Sequence, residues 1–286
     1  MTVREFYKLL DEIAPKRISD EYCAAYDGYD NSGVLVDVGK SVTGAVFSLD
    51  LSYGAIDKAK SVGANLIVTH HPAIYGKLSG ARFDGDPTER KLIACIENGI
   101  SVISMHLNLD MAQGGVDEAL AKGVMLSAAG INGGVAAAKN ETEKTETAAA
   151  GTRSSTMWQV NGGGYGRVYS IEETTLSALV ENVNKTFETD RTLYYGDGER
   201  RLNRAASFCG AGGDYESVAF AKSNGADVVI SSDFKHHVIT YAVEVGLCVI
   251  CLTHYAAENY GFKKYFEKIC QRTDVACVYH VDERFL

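Results

Sequence analysis

Hydrophobic positions along this chain fall into two rhythms. Short apolar runs rich in β-branched residues, "AVFSLD" at 45–50, "NLIVT" at 65–69 and "ISVISM" at 100–105, read as strands. Between them, "SYGAIDKAKSVGA" and "TERKLIACIENG" carry apolar residues at helical spacing, and each runs into a glycine able to end a helix. The stretch "MTVREFYKLLDEIAP" has the pattern of a charged amphipathic helix rather than a signal-peptide core. Strands alternating with helices in this way predict an α/β fold.

The pattern then repeats. Residues 60–69, "KSVGANLIVT", align without a gap on 222–231, "KSNGADVVIS", and 97–103, "ENGISVI", align on 244–250, "EVGLCVI". Each segment is a helix end, a glycine and a strand, twice in the same order. This predicts two similar α/β domains from an internal duplication, a first half at 1–127 and a second at 158–286. Residues 128–157 differ: rich in Ala, Thr, Gly, Glu and Lys, with almost no large apolar side chains, they read as a flexible linker or surface insertion.

Composition narrows the class. With 286 residues the chain can bury a sizeable core, and no apolar run reaches membrane-span length, so the expectation is a soluble, cytoplasmic protein with no membrane partner. A net charge of −9 disfavours nucleic acid, which needs a positive face. An anionic small substrate is still compatible, because a bound metal supplies local positive charge. Seven scattered cysteines form no disulfide framework. Cys248 and Cys251 make a CxxC inside the apolar run "GLCVICLTH", where buried strand thiols are expected rather than a zinc site.

Six of the seven histidines sit at or near the ends of the repeated strands, and only His280 lies apart. "LIVTHHPAIYG" ends a strand in His70 and His71, whose side chains would point to opposite faces in a regular strand. "SMHLNLDMAQGG" then places His106 and Asp110 four residues apart, and "LTHYAAENYGF" does the same for His254 and Glu258. On a helix that spacing puts both side chains on one face. In open α/β sheets ligands collect beyond the carboxyl ends of the strands, where all these residues fall. Imidazole with carboxylate suits zinc, manganese or iron rather than calcium, which prefers oxygen alone. A second pair, His236 and His237 in "SSDFKHHV", is open to a substrate contact or to a plain helix start. "GAGGDYES" at 210–217 reads as a turn, with anion binding as the functional alternative.

Taken together, "APKRISDEY", "YDNSGVLV", "VTHHPAIYG", "MHLNLDMAQGGVDEAL", "ADVVISSDFKHH" and "THYAAENYG" resemble, in order, the segments of the NIF-three-like family, often labelled GTP cyclohydrolase I type 2 homologues. The resemblance covers about residues 5–270 apart from the linker. It implies two similar α/β domains with a metal site at their interface, assembled as a ring-shaped homohexamer. It also implies two divalent metal ions per subunit held by His70, His71, Asp110, His254 and Glu258. By that pattern His71 and Asp110 serve one ion, His70 and His254 the other, and Glu258 bridges. His106 matches a family position beside the metals that orients a ligand or a water. The implied activity is a hydrolase whose metal-activated water attacks a nucleotide such as GTP or a related small substrate, with His106 or His237 as proton shuttle. A non-enzymatic metal-binding scaffold or protein-interaction ring is the alternative from another class. Two departures stand out: Ser231-Ser232-Asp233 replaces the family's Thr-Gly-Glu or Thr-Gly-Asp, and the linker is too short for the domain that longer members insert.

Overall fold

The structure is a computed structural model that describes residues 1–130 and 154–285. Most of the predicted linker, 131–153, lies outside the described residues. Its last part is not linker-like: Ser155–Val160 is a strand, β5. Packing divides the chain into two compact units. The first comprises Met1–Gly115, Val160–Gly163 and Phe262–Glu283, and the second the described parts of Val116–Gln159, Gly164–Gly261 and Arg284–Leu286.

In the first unit, α1 (Val3–Ile13) starts at a capping box in which the Glu5 amide donates to Thr2 Oγ1 and the Thr2 amide donates to Glu5 Oε2. After α2 (Lys16–Tyr26) come β1 (Gly33–Val36), β2 (Ala45–Ser48), α3 (Tyr53–Val62), β3 (Leu66–Thr69), α4 (Pro87–Glu97), β4 (Ser101–Ser104) and the short α5 (Leu107–Met111). Asp86 caps α4, with Pro87 in the first turn where a missing N–H costs nothing. The three predicted strands and both predicted helices are therefore present, each end within two residues of the sequence run. β2, β3 and β4 are parallel and wholly buried, as a strand covered on both faces must be. The sheet order is β1-β4-β3-β2-β11, with β1 antiparallel at one edge.

The other edge corrects the sequence reading. β11 (Cys277–His280) lies parallel to β2, pairing Cys277 with Ala45, so the chain's last strand completes the first sheet. The packing units thus interleave along the sequence instead of dividing near 127 and 158. The cause is backbone pairing: β2 offers an open edge that no local strand fills. His280, which lay apart in the sequence, consequently ends a strand of this sheet as well.

The second unit contains α6 (Val116–Ala128), most of β5 and of β6 (Gly163–Thr175), α7 (Leu176–Thr186), β7 (Leu193–Tyr195), β8 (Arg201–Ser207), α8 (Tyr215–Ser223), β9 (Val228–Ser231), α9 (His236–Glu244), β10 (Cys248–Cys251) and the first turns of α10 (His254–Cys270). Its sheet order is β5-β6-β8-β9-β10-β7, with β8, β9 and β10 parallel. The repeated segments take matching forms. α3 and α8 run into Gly63 and Gly225, with φ of 69° and 73°, and α4 and α9 into Gly99 and Gly246, with φ of 66° and 86°. Glycine ends a helix in this left-handed conformation because it has no Cβ to clash. Cys248 is buried in β10 and Cys251 half-buried, as expected of strand thiols.

Candidate metal centre

His70 and His71 lie just beyond the end of β3. Both of their amides donate to one carbonyl, Leu49 O, at 3.1 and 3.0 Å. That shared acceptor breaks the strand's alternation, and the two imidazole centroids end 5.0 Å apart. His70 is fully buried, and its Nδ1 meets the Met105 carbonyl at 2.8 Å. A carbonyl only accepts, so Nδ1 carries a proton and the ring's orientation is fixed with Nε2 on the opposite side. That Nε2 lies 3.3 Å from Asp110 Oδ1 on the buried face of α5. His71 Nδ1 meets Asp50 Oδ1 at 2.8 Å, just past the end of β2.

His106 completes the group in the first unit. Its ring centroid is 5.5 Å from that of His70 and 6.0 Å from that of His71. Its amide donates to Ser32 Oγ, and its Nδ1 meets Asp30 Oδ1 at 2.9 Å. Burial alone would raise the Asp30 carboxyl, but hydrogen bonds from His106 and Ser32 outweigh it and hold the group well below the usual carboxylate range. A carboxyl depressed on folding contributes stability above its unfolded value of about 4 and loses it as pH falls further, so this contact resists mild acid.

The second unit presents a matching set. His254 opens α10 and Glu258, nearly fully buried, follows one turn later, with His254 Nε2 3.0 Å from Glu258 Oε2. His254 Nδ1 meets Asp233 Oδ2 at 2.6 Å. Asp233 therefore keeps a carboxylate at the point where the sequence departs from the family pattern. Burial works against charge on His254, yet the bonds to Glu258 and Asp233 prevail and raise its pKa to about 9. Cys209, which the sequence reading passed over, is buried at the end of the segment following β8, with its Sγ within 4.8 Å of a Glu258 carboxylate oxygen. The signal was available, since Cys209 follows a strand and precedes Gly210. His237 is placed differently: it is exposed in the first turn of α9 and stacks on Tyr215. "GAGGDYES" is a turn whose Asp214 caps α8 by accepting from the Ser217 amide, which puts a carboxylate where an anion would sit.

Four imidazoles, those of His70, His71, His106 and His254, thus have Nδ1 held by an oxygen acceptor. That is how proteins fix the tautomer of a metal-ligating histidine and raise its basicity. Asp110, Glu258 and Cys209 add buried donors that suit a transition metal. The residues present therefore fit a divalent ion. Asp30 and Asp50, the partners of His106 and His71, were not singled out in the sequence. Each lies 76 or 21 residues from the imidazole that it holds, beyond the reach of spacing arguments.

In chelator-treated protein, His254 is expected to titrate near pH 9 by NMR rather than near 6.5. Its contacts then stabilise the fold fully below the unfolded value and are lost as pH rises through about 9. Asp233→Asn should lower that midpoint; an unchanged value would show that Asp233 does not charge the ring.

The fold is that of an α/β protein whose strand ends carry oxygen-braced imidazoles and buried carboxylates, donors of the kind that could hold a metal ion. The pattern of one family, Duf34/NIF3 (NGG1p interacting factor 3), matches residues 1–282, and this chain belongs to that family. A "GTP cyclohydrolase 1 type 2 homolog" of Clostridium perfringens is 28% identical over 276 residues, covering 96% of this chain and 93% of the relative. A Staphylococcus aureus hypothetical protein of known structure aligns over 99% of this chain and 97% of its own at 22% identity, with a TM-score of 0.75. A Bacillus cereus protein related to NIF3 aligns over 97% and 96% at 19% identity, with a TM-score of 0.72. These structures share the fold. Among the described residues, no helix is long and apolar enough to cross a membrane.

Proposed function

We propose that this chain is a divalent-metal-dependent hydrolase with a pair of ions per subunit, acting on a nucleotide or a related small anion. The observation that carries the reading is the set of imidazoles whose Nδ1 is held by oxygen, with the buried carboxylates of Asp110 and Glu258 on the Nε2 side of His70 and His254. His70, His71, Asp110, His254 and Glu258 are the ligands, and zinc, manganese or iron suits them. When bound, such a pair lowers the pKa of a coordinated water to near neutrality. The chain's own residues do the remaining work. Met105 O, Asp50 and Asp233 fix the rings of His70, His71 and His254 so that each Nε2 keeps its direction. Asp30 keeps the proton of His106 on Nδ1, leaving Nε2 able to take a proton from a reacting group and return it. The relatives' printed name, a GTP cyclohydrolase homolog, supports a guanine nucleotide as the first substrate to try. The family description names an interaction instead, which supports a second reading, a metal-binding protein that serves partners without turnover.

The test is metal content per chain after purification with neither added metal nor chelator, followed by assays of GTP and simple phosphoesters. About two equivalents and turnover that disappears in a folded Asp110→Ala variant are expected. No metal uptake from zinc, manganese or iron solutions would overturn the hydrolase reading. Metal without turnover of any anion would favour the partner-binding reading. A ring-shaped hexamer, checked by light scattering on the same sample, belongs to this proposal.

A further inference from the structure

We propose that Tyr215 and His237 form a stacking platform for a flat heteroaromatic group, the nucleobase of a nucleotide. In the second unit β8, β9 and β10 run parallel, so the segments that leave them emerge at one end of the sheet. The first leads to Tyr215 at the start of α8, the second through Asp233 and Phe234 to His237 in α9, and the third to His254 in α10. The carboxyl end of parallel strands is where such sheets hold ligands.

At that end the Tyr215 and His237 rings are stacked, with centroids 5.6 Å apart and planes 28° from parallel. Tyr241 meets Tyr215 edge-on at 5.2 Å and limits its tilt. Tyr215 is nonetheless 49% exposed, and His237 is exposed too. Among the described residues neither side chain makes a hydrogen bond, so both keep their polar atoms for water or a ligand. The platform is also braced from below. A Cβ on Gly213 would lie 2.6 Å from the Phe234 ring, so the backbone before Tyr215 packs flat on the residue three before His237. Two exposed rings already stacked on each other present a flat aromatic face, and every base offers a π-face to meet it.

The assignment rests on the nucleotide reading of the site, but binding can be measured without turnover. Calorimetric titration of the chelator-treated full chain with guanosine monophosphate, cytidine monophosphate and ribose 5-phosphate separates base from phosphate recognition. Guanosine monophosphate is expected to bind more tightly than cytidine monophosphate, and ribose 5-phosphate about tenfold more weakly than either. Tyr215→Ala should weaken guanosine monophosphate about tenfold and leave ribose 5-phosphate unchanged, while Tyr215→Phe keeps wild-type affinity. Ribose 5-phosphate binding as tightly as the nucleotide, no nucleotide binding, or an unaffected Tyr215→Ala variant would each overturn the platform. A change in oligomeric state without a change in affinity would assign the rings to a contact between copies. If the base binds but no anion is turned over, the platform stands and the hydrolase reading falls.

Discussion

Alanine at Glu258 is expected to cut metal content from about two ions per chain to one or fewer and to abolish any hydrolysis. Glu258 is 2% exposed, so its carboxylate is held by protein rather than by water. It faces His254 Nε2, and its removal deletes a donor and the charge that sustains the imidazole beside it. Gly210 offers an independent handle. It sits at φ 59°, and a Cβ there would overlap Glu258 Oε1. Gly210→Ala keeps every ligand, yet it must displace the carboxylate or strain the backbone. It should lower metal content nearly as far as Glu258→Ala, by elemental analysis. Full metal content in both variants would remove Glu258 from the ligand set.

Asp117→Ala is expected to cost about 3–5 kcal/mol of stability, a fall in Tm of roughly 6–20 °C. Asp117 is fully buried in the first turn of α6. One carboxylate oxygen accepts from the Gly166 amide at 3.1 Å and from Arg167 Nε at 2.9 Å, and the other from the Cys209 amide at 3.4 Å. Alanine leaves Arg167, only 21% exposed, without its counter-charge, and deprives two interior amides of an acceptor. Cys209 adjoins Gly210, so metal content should fall with stability. Thermal unfolding checks the prediction, and a loss under about 1 kcal/mol would mean that water reaches the gap.

Much of this was legible along the chain because it is local. Short β-branched apolar runs mark β2, β3 and β4, and the glycines after α3, α4, α8 and α9 mark helix ends, because only the nearest residues decide whether a left-handed φ is tolerated. The spacing of His254 and Glu258 was equally readable, since one helical turn brings them together whatever surrounds them. His70 and His71 were visible as a pair, but their convergence was not. It depends on the Leu49 carbonyl, more than twenty residues earlier and brought alongside by the pairing of β2 with β3.

The sequence by itself determined the class of fold, the family, and the kinds of donor gathered at the strand ends. Each depends on residue type and short spacing, which a linear chain displays. Only the tertiary structure decided that β11 closes the first sheet, that Asp30, Asp50 and Asp233 brace the imidazoles, and that Cys209 sits beside Glu258. It also set His237 against Tyr215. Those partnerships join residues 21 to 232 positions apart, Ala45 to Cys277 being the longest. A parallel sheet stacks strands by backbone hydrogen bonds that carry no residue-specific signal, so nothing in the order of side chains announces which strand ends will meet.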